Sequence, residues 1–258
     1  MNVKLSNLHA PNPYFANLEA HSDHRFIETG KNRIIEALAQ NNFELKIGSI
    51  SDILALKKFI NLNCRKLTAE QLTEAYLFSS IQYGELVLIY YNKVIVAFHL
   101  TCYHFVPHKI SAVIYVAVNS MHRGYKLGVL SSYYSSLLAF EKGCEFKNTW
   151  IAPDNYPSLV NHINYEGFSG IDFKPSMFLP GQGRIVVSFK LTRLNLLYNR
   201  IDMGKLKEFI ANPNIEGEFK IINPENENEL LEFISSQQFK ISACIPTETG
   251  NINFLLTK

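Results

Sequence analysis

Residues 116–128 read Val116-Ala117-Val118-Asn119-Ser120-Met121-His122-Arg123-Gly124-Tyr125-Lys126-Leu127-Gly128. An apolar, β-branched run stops at Asn119. A short loop follows, and then a basic, glycine-spaced turn opens a stretch with helical periodicity. That order makes an anion site. The first turn of a helix leaves backbone N–H groups unpaired, and its dipole favours negative charge. Gly124 and Gly128 keep side chains away from an approaching phosphate. Arg123 and Lys126 add charge-assisted hydrogen bonds.

Working outward, residues 110–118 are almost wholly apolar and predict a central strand buried on both faces. Residues 125–142 predict a helix with Leu127, Leu130, Tyr134, Leu137 and Leu138 on one side and Lys126, Ser132, Ser135 and Ser136 on a polar far side. Upstream, 43–50 is a strand, and Ile53, Leu56, Phe59 and Ile60 mark a helix from Ser51. A second helix is expected from Thr68, capped by Thr68 and Gln71, with Leu72, Ala75 and Tyr76 buried. Strands 85–91 and 94–103 are joined by Asn92-Lys93. Downstream come strand 147–152, helix 155–166, and strands 170–178 and 184–191 around Pro180-Gly181-Gln182-Gly183.

The whole stretch from 43 to 192 resembles the GNAT superfamily of acyl-CoA-dependent N-acetyltransferases. The signature of that family is Gln/Arg-x-x-Gly-x-Gly/Ala. Arg123 takes its first position and Gly128 its last, and Lys126 stands where the middle glycine is expected. Asn155 at a helix start, Gly167-Phe168 at its end and the closing strand Arg184-Ile185-Val186-Val187-Ser188-Phe189-Lys190 are similar to the family as well.

The resemblance implies an α/β (α+β) GNAT fold, with a mixed central sheet flanked by helices, to which the residue pattern after about 193 adds a small C-terminal α+β domain. It implies acetyl-CoA, or another acyl-CoA, as cofactor. Residues 123–128, which include Gly124, Tyr125, Lys126 and Leu127, would hold the pyrophosphate. Backbone groups of Val116 and Val118 would hold the pantetheine arm, on a strand that splays from its neighbour at a bulge, and Asn155 would add a contact. The reaction implied is direct attack of an amine on the thioester, which needs a base and an acid for the leaving thiolate. Counting from Asn155 puts the acid at His162, and counting back from Phe168 puts it at Ile163, so the helix reads one residue long. Tyr165 is the nearest tyrosine and the first choice, with His162 second. No carboxylate lies on 110–118, which leaves His99, His104, His108 or a water chain as base. No metal site is expected.

The 258 residues suffice for one sizeable domain and a smaller one. The division expected is an N-terminal helical extension over 1–42, the acyltransferase domain over 43–195 and the α+β domain over 196–258. The loop Pro11-Asn12-Pro13-Tyr14 and a helix near 25–40 make up the extension. In the last segment a helix at 202–210, a strand at 219–222, a helix capped by Asn223 with Pro224 first, and strands 239–245 and 251–256 are expected. Phe239, Ile241, Ile252, Phe254 and Leu256 would be buried, and the last strand would offer a pairing edge. The order repeats that of 155–191, so this is either a degenerate second unit or an appended cap.

A net charge of +2 does not demand nucleic acid or an anionic membrane. No apolar run approaches the ~20 residues of a membrane span, and the start lacks a signal-peptide pattern. Cys64, Cys102, Cys144 and Cys244 lie far apart, as in a protein of a reducing cytoplasm. The expected partner is a small-molecule or peptide amine, with a possible homodimer. Alternatives are a long-chain N-acyl amino acid synthase-like enzyme using acyl-CoA or acyl carrier protein, and a non-catalytic acyl-CoA-binding module.

Overall fold

A computed structural model describes residues 24–64, 73–104, 109–177, 180–193, 218–247 and 249–258. The expected proline loop at 11–14, the Thr68–Gln71 cap, His108 and the helix at 202–210 lie outside these residues. The elements are α1 (His24–Ala39), β1 (Phe43–Ile47), α2 (Ile53–Asn63), α3 (Glu74–Gln82), β2 (Gly84–Tyr91), β3 (Val94–His104), β4 (Ile110–Val118), α4 (Leu127–Glu141), β5 (Phe146–Ile151), α5 (Tyr156–Leu159), β6 (Ser169–Lys174), β7 (Arg184–Lys190), β8 (Phe219–Ile222), α6 (Glu227–Glu229), β9 (Lys240–Pro246) and β10 (Ile252–Thr257). A π-helical turn extends α5 over Val160–Tyr165, and another extends α6 over Leu230–Ser235.

The strands form one sheet in the order β1-β2-β3-β4-β5-β7-β6-β9-β10-β8. Its pairs are antiparallel except β4–β5, which is parallel. This is the mixed α/β architecture that the resemblance implied. Asn92 and Lys93 both adopt positive φ, the conformation of a tight hairpin. On one face α2 and α3 cover Leu86, Leu88, Ile95, Phe98 and Leu100 with Leu56, Phe59, Ile60, Leu77 and Ile81. The other face carries α1, α4 and the π turn over a core that runs on into β9 and β10.

Several expectations differ from the structure. The cap of α3 is Thr73, whose hydroxyl accepts from Tyr76 N–H, so the buried side falls on Leu77, Ser80 and Ile81 while Ala75 is exposed. The serine side of α4 faces inward. Ser131, Ser132, Ser135 and Ser136 are all buried, because the helix is packed against the sheet, α1 and the π turn together. β4 is fully buried only over its first half. In the last segment Asn226, not Asn223, caps α6: its Oδ1 accepts from Glu229 N–H, while Asn223 Oδ1 accepts from Glu225 N–H in the loop before it.

The C-terminal elements lie beside β6. Strand β10 is internal there, paired with β9 and β8, and the sheet edge is β8 rather than the last strand. Their order, β8-α6-β9-β10, repeats β5-α5-β6-β7. The turn Ile151-Ala152-Pro153-Asp154-Asn155 has a counterpart in Ile222-Asn223-Pro224-Glu225-Asn226 at one constant spacing, and Phe168 and Phe239 stand in the same relation. Local bonds match too: Leu159 N–H to the Asn155 carbonyl and Leu230 N–H to the Asn226 carbonyl, each 3.1 Å. Phe239, Ile241, Ile252, Phe254 and Leu256 are buried.

Candidate active site

Strand β4 creates the site by parting from β5. The two pair only from Ile110 to Ala112, whereas β4 pairs with β3 along its whole length. The register against β3 slips at Ile114, a bulge that turns the strand away. Asn119 N–H donates to the Val96 carbonyl at 2.8 Å. Backbone direction alternates along a strand, so Val118 and Val116 aim their N–H and C=O groups at the open side. The two valines singled out from the sequence therefore present free edge groups toward the gap.

The loop then runs through Asn119, whose side chain accepts from Met121 N–H, to Arg123 and Gly124. Gly124 has φ +93° with open space around its Cα, a conformation that glycine takes without strain. Lys126 also adopts the left-handed region, at φ 59°, as the N-cap of α4. That is the physical reason for a glycine preference at this position, and holding a lysine there costs about 1–2 kcal/mol. No side chain caps α4, and its first helical bond is Leu130 N–H to the Lys126 carbonyl at 2.9 Å. The preceding N–H groups of the helix start thus have no intrahelical acceptor and no side-chain cap. A methyl group at Gly128 would sit 3.6 Å from Asn161 Nδ2, 3.6 Å from Val118 Cγ2 and 3.8 Å from Val116 Cγ1. Gly128 therefore lies where α4 comes closest to both the open end of β4 and the π turn. An unpaired strand edge beside an uncapped helix start fits the amides and the pyrophosphate of coenzyme A.

The other expected contacts differ in character. Arg123 is exposed on the turn. The Tyr125 ring packs edge-on against Phe43, 5.2 Å away, so its backbone rather than its hydroxyl belongs to the turn. Leu127 is buried in the core. Asn155 starts α5 without a capping bond from its side chain, which leaves that carboxamide exposed at the end of β5.

Tyr165 and His162 share the π turn but face different partners. Glu166 N–H reaches the Asn161 carbonyl at 3.1 Å, a bond across five residues. The extra residue of this turn is the one by which the helix reads long in the sequence. Tyr165 is 8% exposed, and its hydroxyl lies 2.8 Å from Lys126 Nζ, which also stands 4.0 Å from the ring centroid. The Tyr133 hydroxyl donates to the Tyr165 carbonyl at 2.5 Å and fixes the turn to α4. Tyr165 thus meets the glycine-spaced turn. His162 points inward instead, its Nδ1 3.2 Å from Glu166 Oε2.

Behind the turn lies a buried polar chain that the sequence did not disclose. Lys147 on β5 is fully buried and donates to the Ser132 carbonyl at 2.7 Å, Ser132 Oγ at 2.8 Å and Ser136 Oγ at 3.0 Å. Ser132 Oγ donates to Glu166 Oε2, and Asn161 Nδ2 donates to Glu166 Oε1 at 2.9 Å. Burial drives the Lys147 ammonium down to about 7, with Glu166 opposing the shift. A serine pair four residues apart, with a lysine among the inward positions of a short strand, was the available signal.

The histidine bases fare differently. His99 is fully buried under α4 with neither ring nitrogen bonded, and burial, then Lys147 and His162, hold it well below the usual range. His104 is half-buried at the end of β3. Among the described residues no group of three or more His, Cys, Asp or Glu converges as a metal site would require. The four cysteines are unpaired, and no helix among the described residues is long and apolar enough to cross a membrane.

No protein-family model matches the chain, and no curated protein sequence does. Solved structures do match it. The ribosomal-protein-S18-alanine N-acetyltransferase of Escherichia coli is 10% identical, with 58% of this chain and 94% of that one covered at a TM-score of 0.49. For an N-acetyltransferase of Staphylococcus aureus Mu50 the identity is 14%, the coverage 58% and 97%, and the TM-score 0.48. The PaiA N-acetyltransferase of Thermoplasma acidophilum, solved in complex with coenzyme A, is 11% identical over 57% of this chain and 98% of that one, with a TM-score of 0.44.

Proposed function

We propose that this chain is a GNAT-type N-acyltransferase that moves an acyl group, acetyl in the first instance, from acyl-CoA to an amine. The observation that carries the reading is the parting of β4 from β5 beside the uncapped start of α4. The open edge at Val116 and Val118 suits the amides of pantetheine. The turn at 123–128 suits the pyrophosphate, and Asn155 flanks the gap from α5. Acyl-CoA bound there supplies an activated thioester carbonyl. The chain's own part is to align that carbonyl on backbone N–H donors and to hold a proton for the sulfur. Tyr165 holds that proton at its Oη. His162, bonded to Glu166, is the second candidate. β4 carries no carboxylate, so the proton of the amine leaves through water, with His104 at the end of β3 as the side-chain alternative. Residues 218–247 and 249–258 extend the sheet as a degenerate half-repeat, and the segment 196–258 supplies no chemistry.

The test is thiol release from acetyl-CoA across a panel of small amines and peptide N-termini, run beside calorimetry with CoA. Binding with turnover of at least one amine is the expected result. Binding without turnover of any acceptor would favour a non-catalytic acyl-CoA module, and absence of binding would end the proposal. Mass spectrometry of co-purified thioesters reads the acyl length and separates acetyl transfer from long-chain transfer.

A further inference from the structure

Lys126 and Tyr165 come from separate elements, the cap of α4 and the π turn, and meet beside the start of α4. Lys126 Nζ is 2.8 Å from Tyr165 Oη, and the tyrosine is 8% exposed. An ammonium has three donors and no acceptor. The tyrosine oxygen must therefore accept this bond, and its own hydrogen is turned away from the lysine. We infer that Lys126 is a positioning residue: it orients the Tyr165 O–H toward the gap and holds the oxygen after the proton has left. The inference rests on the acyltransferase reading above, and it moves Lys126 from a phosphate contact to a partner of the acid.

As the amine nitrogen bonds to the acyl carbon, it releases a proton to water. Tyr165 gives its Oη proton to the sulfur while the carbon–sulfur bond breaks, with the bond's electron pair remaining on sulfur. The negative oxygen left on Tyr165 faces the Lys126 ammonium, and a proton from water restores the hydroxyl. The amide, free thiol and original protein result. A lysine suits this task where a glycine would not, because only a long cationic side chain spans from the turn to the tyrosine. The left-handed backbone at Lys126 is the accompanying cost.

The experiment compares Lys126→Met, Lys126→Arg and Tyr165→Phe with the unmodified protein, by calorimetry with CoA and by steady-state turnover. Loss of an oriented general acid costs about 100- to 10,000-fold. Tyr165→Phe is expected within that range. Lys126→Met should lower kcat about 10- to 100-fold, part of the same effect, with CoA affinity changed less than about threefold. Lys126→Arg should recover much of the loss, since it restores a cationic donor. A tenfold or greater loss of CoA affinity in Lys126→Met at unchanged kcat would overturn the inference and return Lys126 to the phosphates. A kcat drop in Tyr165→Phe without one in Lys126→Met would overturn it while leaving Tyr165 as the acid. Unchanged kcat in Tyr165→Phe would remove both.

Discussion

Asn164 bonds both backbone groups of Cys244: its Nδ2 donates to the carbonyl at 2.8 Å and its Oδ1 accepts from the N–H at 2.8 Å. A side chain of the π turn thereby acts as a strand partner for β9, where the pairing of β6 with β9 is limited to Gly170 and Ile241. Asn164→Ala leaves a buried donor and a buried acceptor unmet, at about 1–3 kcal/mol each. The urea midpoint should fall accordingly, and a midpoint unchanged within error would mean that water replaces the amide.

The joint beside it depends on the absence of a side chain. A Cβ on Gly170 would lie 2.6 Å from Ile241 Cδ1. Gly170→Ala should destabilise by about 1–3 kcal/mol through overpacking. Adding Ile241→Val removes Cδ1, the nearest of three colliding atoms, while Cβ and Cγ1 at 2.8 Å remain, so it should restore only a small part of the loss. Equal thermal midpoints for the single variant and the unmodified chain would show that β9 simply shifts.

Gly128 tests the cofactor turn. Its missing side chain faces Val116, Val118 and Asn161. Gly128→Asp brings bulk and negative charge to the helix start where a pyrophosphate would sit. CoA affinity should fall by more than about tenfold, an electrostatic and steric loss exceeding ~1.4 kcal/mol. A folded Gly128→Asp protein that binds CoA normally would place the phosphates elsewhere.

Lys147 makes stability depend on pH. Burial lowers its ammonium from 10.5 to about 7. Across that window the unfolded chain holds a proton that the folded chain releases, so stability rises with pH, by at most about 1.4 kcal/mol per unit. The penalty is complete below about 7. Cys64 and Cys144, pushed up by burial to about 11, oppose the trend above their ordinary 9.0, so the interval from about pH 7 to 8.5 isolates the lysine. The unmodified protein should gain stability over that interval relative to Lys147→Met. Parallel curves would mean that Lys147 keeps its proton in the folded protein.

One cofactor per chain is the expected stoichiometry. The C-terminal unit β8-α6-β9-β10 has no counterpart of β4 and α4 among the described residues, and 196–258 contains no glycine-spaced basic turn. Calorimetry should give one CoA per chain, and two would require a second site in that segment.

The order of the main elements was legible in the residues because it rests on local terms. Alternation at 43–47, the Asn92-Lys93 hairpin, the β-branched run of β4 and the spacing of Ile53, Leu56, Phe59 and Ile60 each act within a few residues. The same holds for the uncapped, glycine-spaced start of α4. What the sequence could not decide was which long-range partner each polar group would meet. Ser132 and Ser136 read as a solvated face, yet they turn inward because Lys147, on a strand reached only through tertiary packing, needs acceptors. His99 read as an available base, yet α4 closes over it. Lys126 read as a phosphate contact, yet its ammonium lies on Tyr165, which a π turn brings to it. Backbone propensity is a property of neighbours in the chain, whereas the role of a charged side chain is set by burial and by partners distant in sequence. Only the folded protein brings those together.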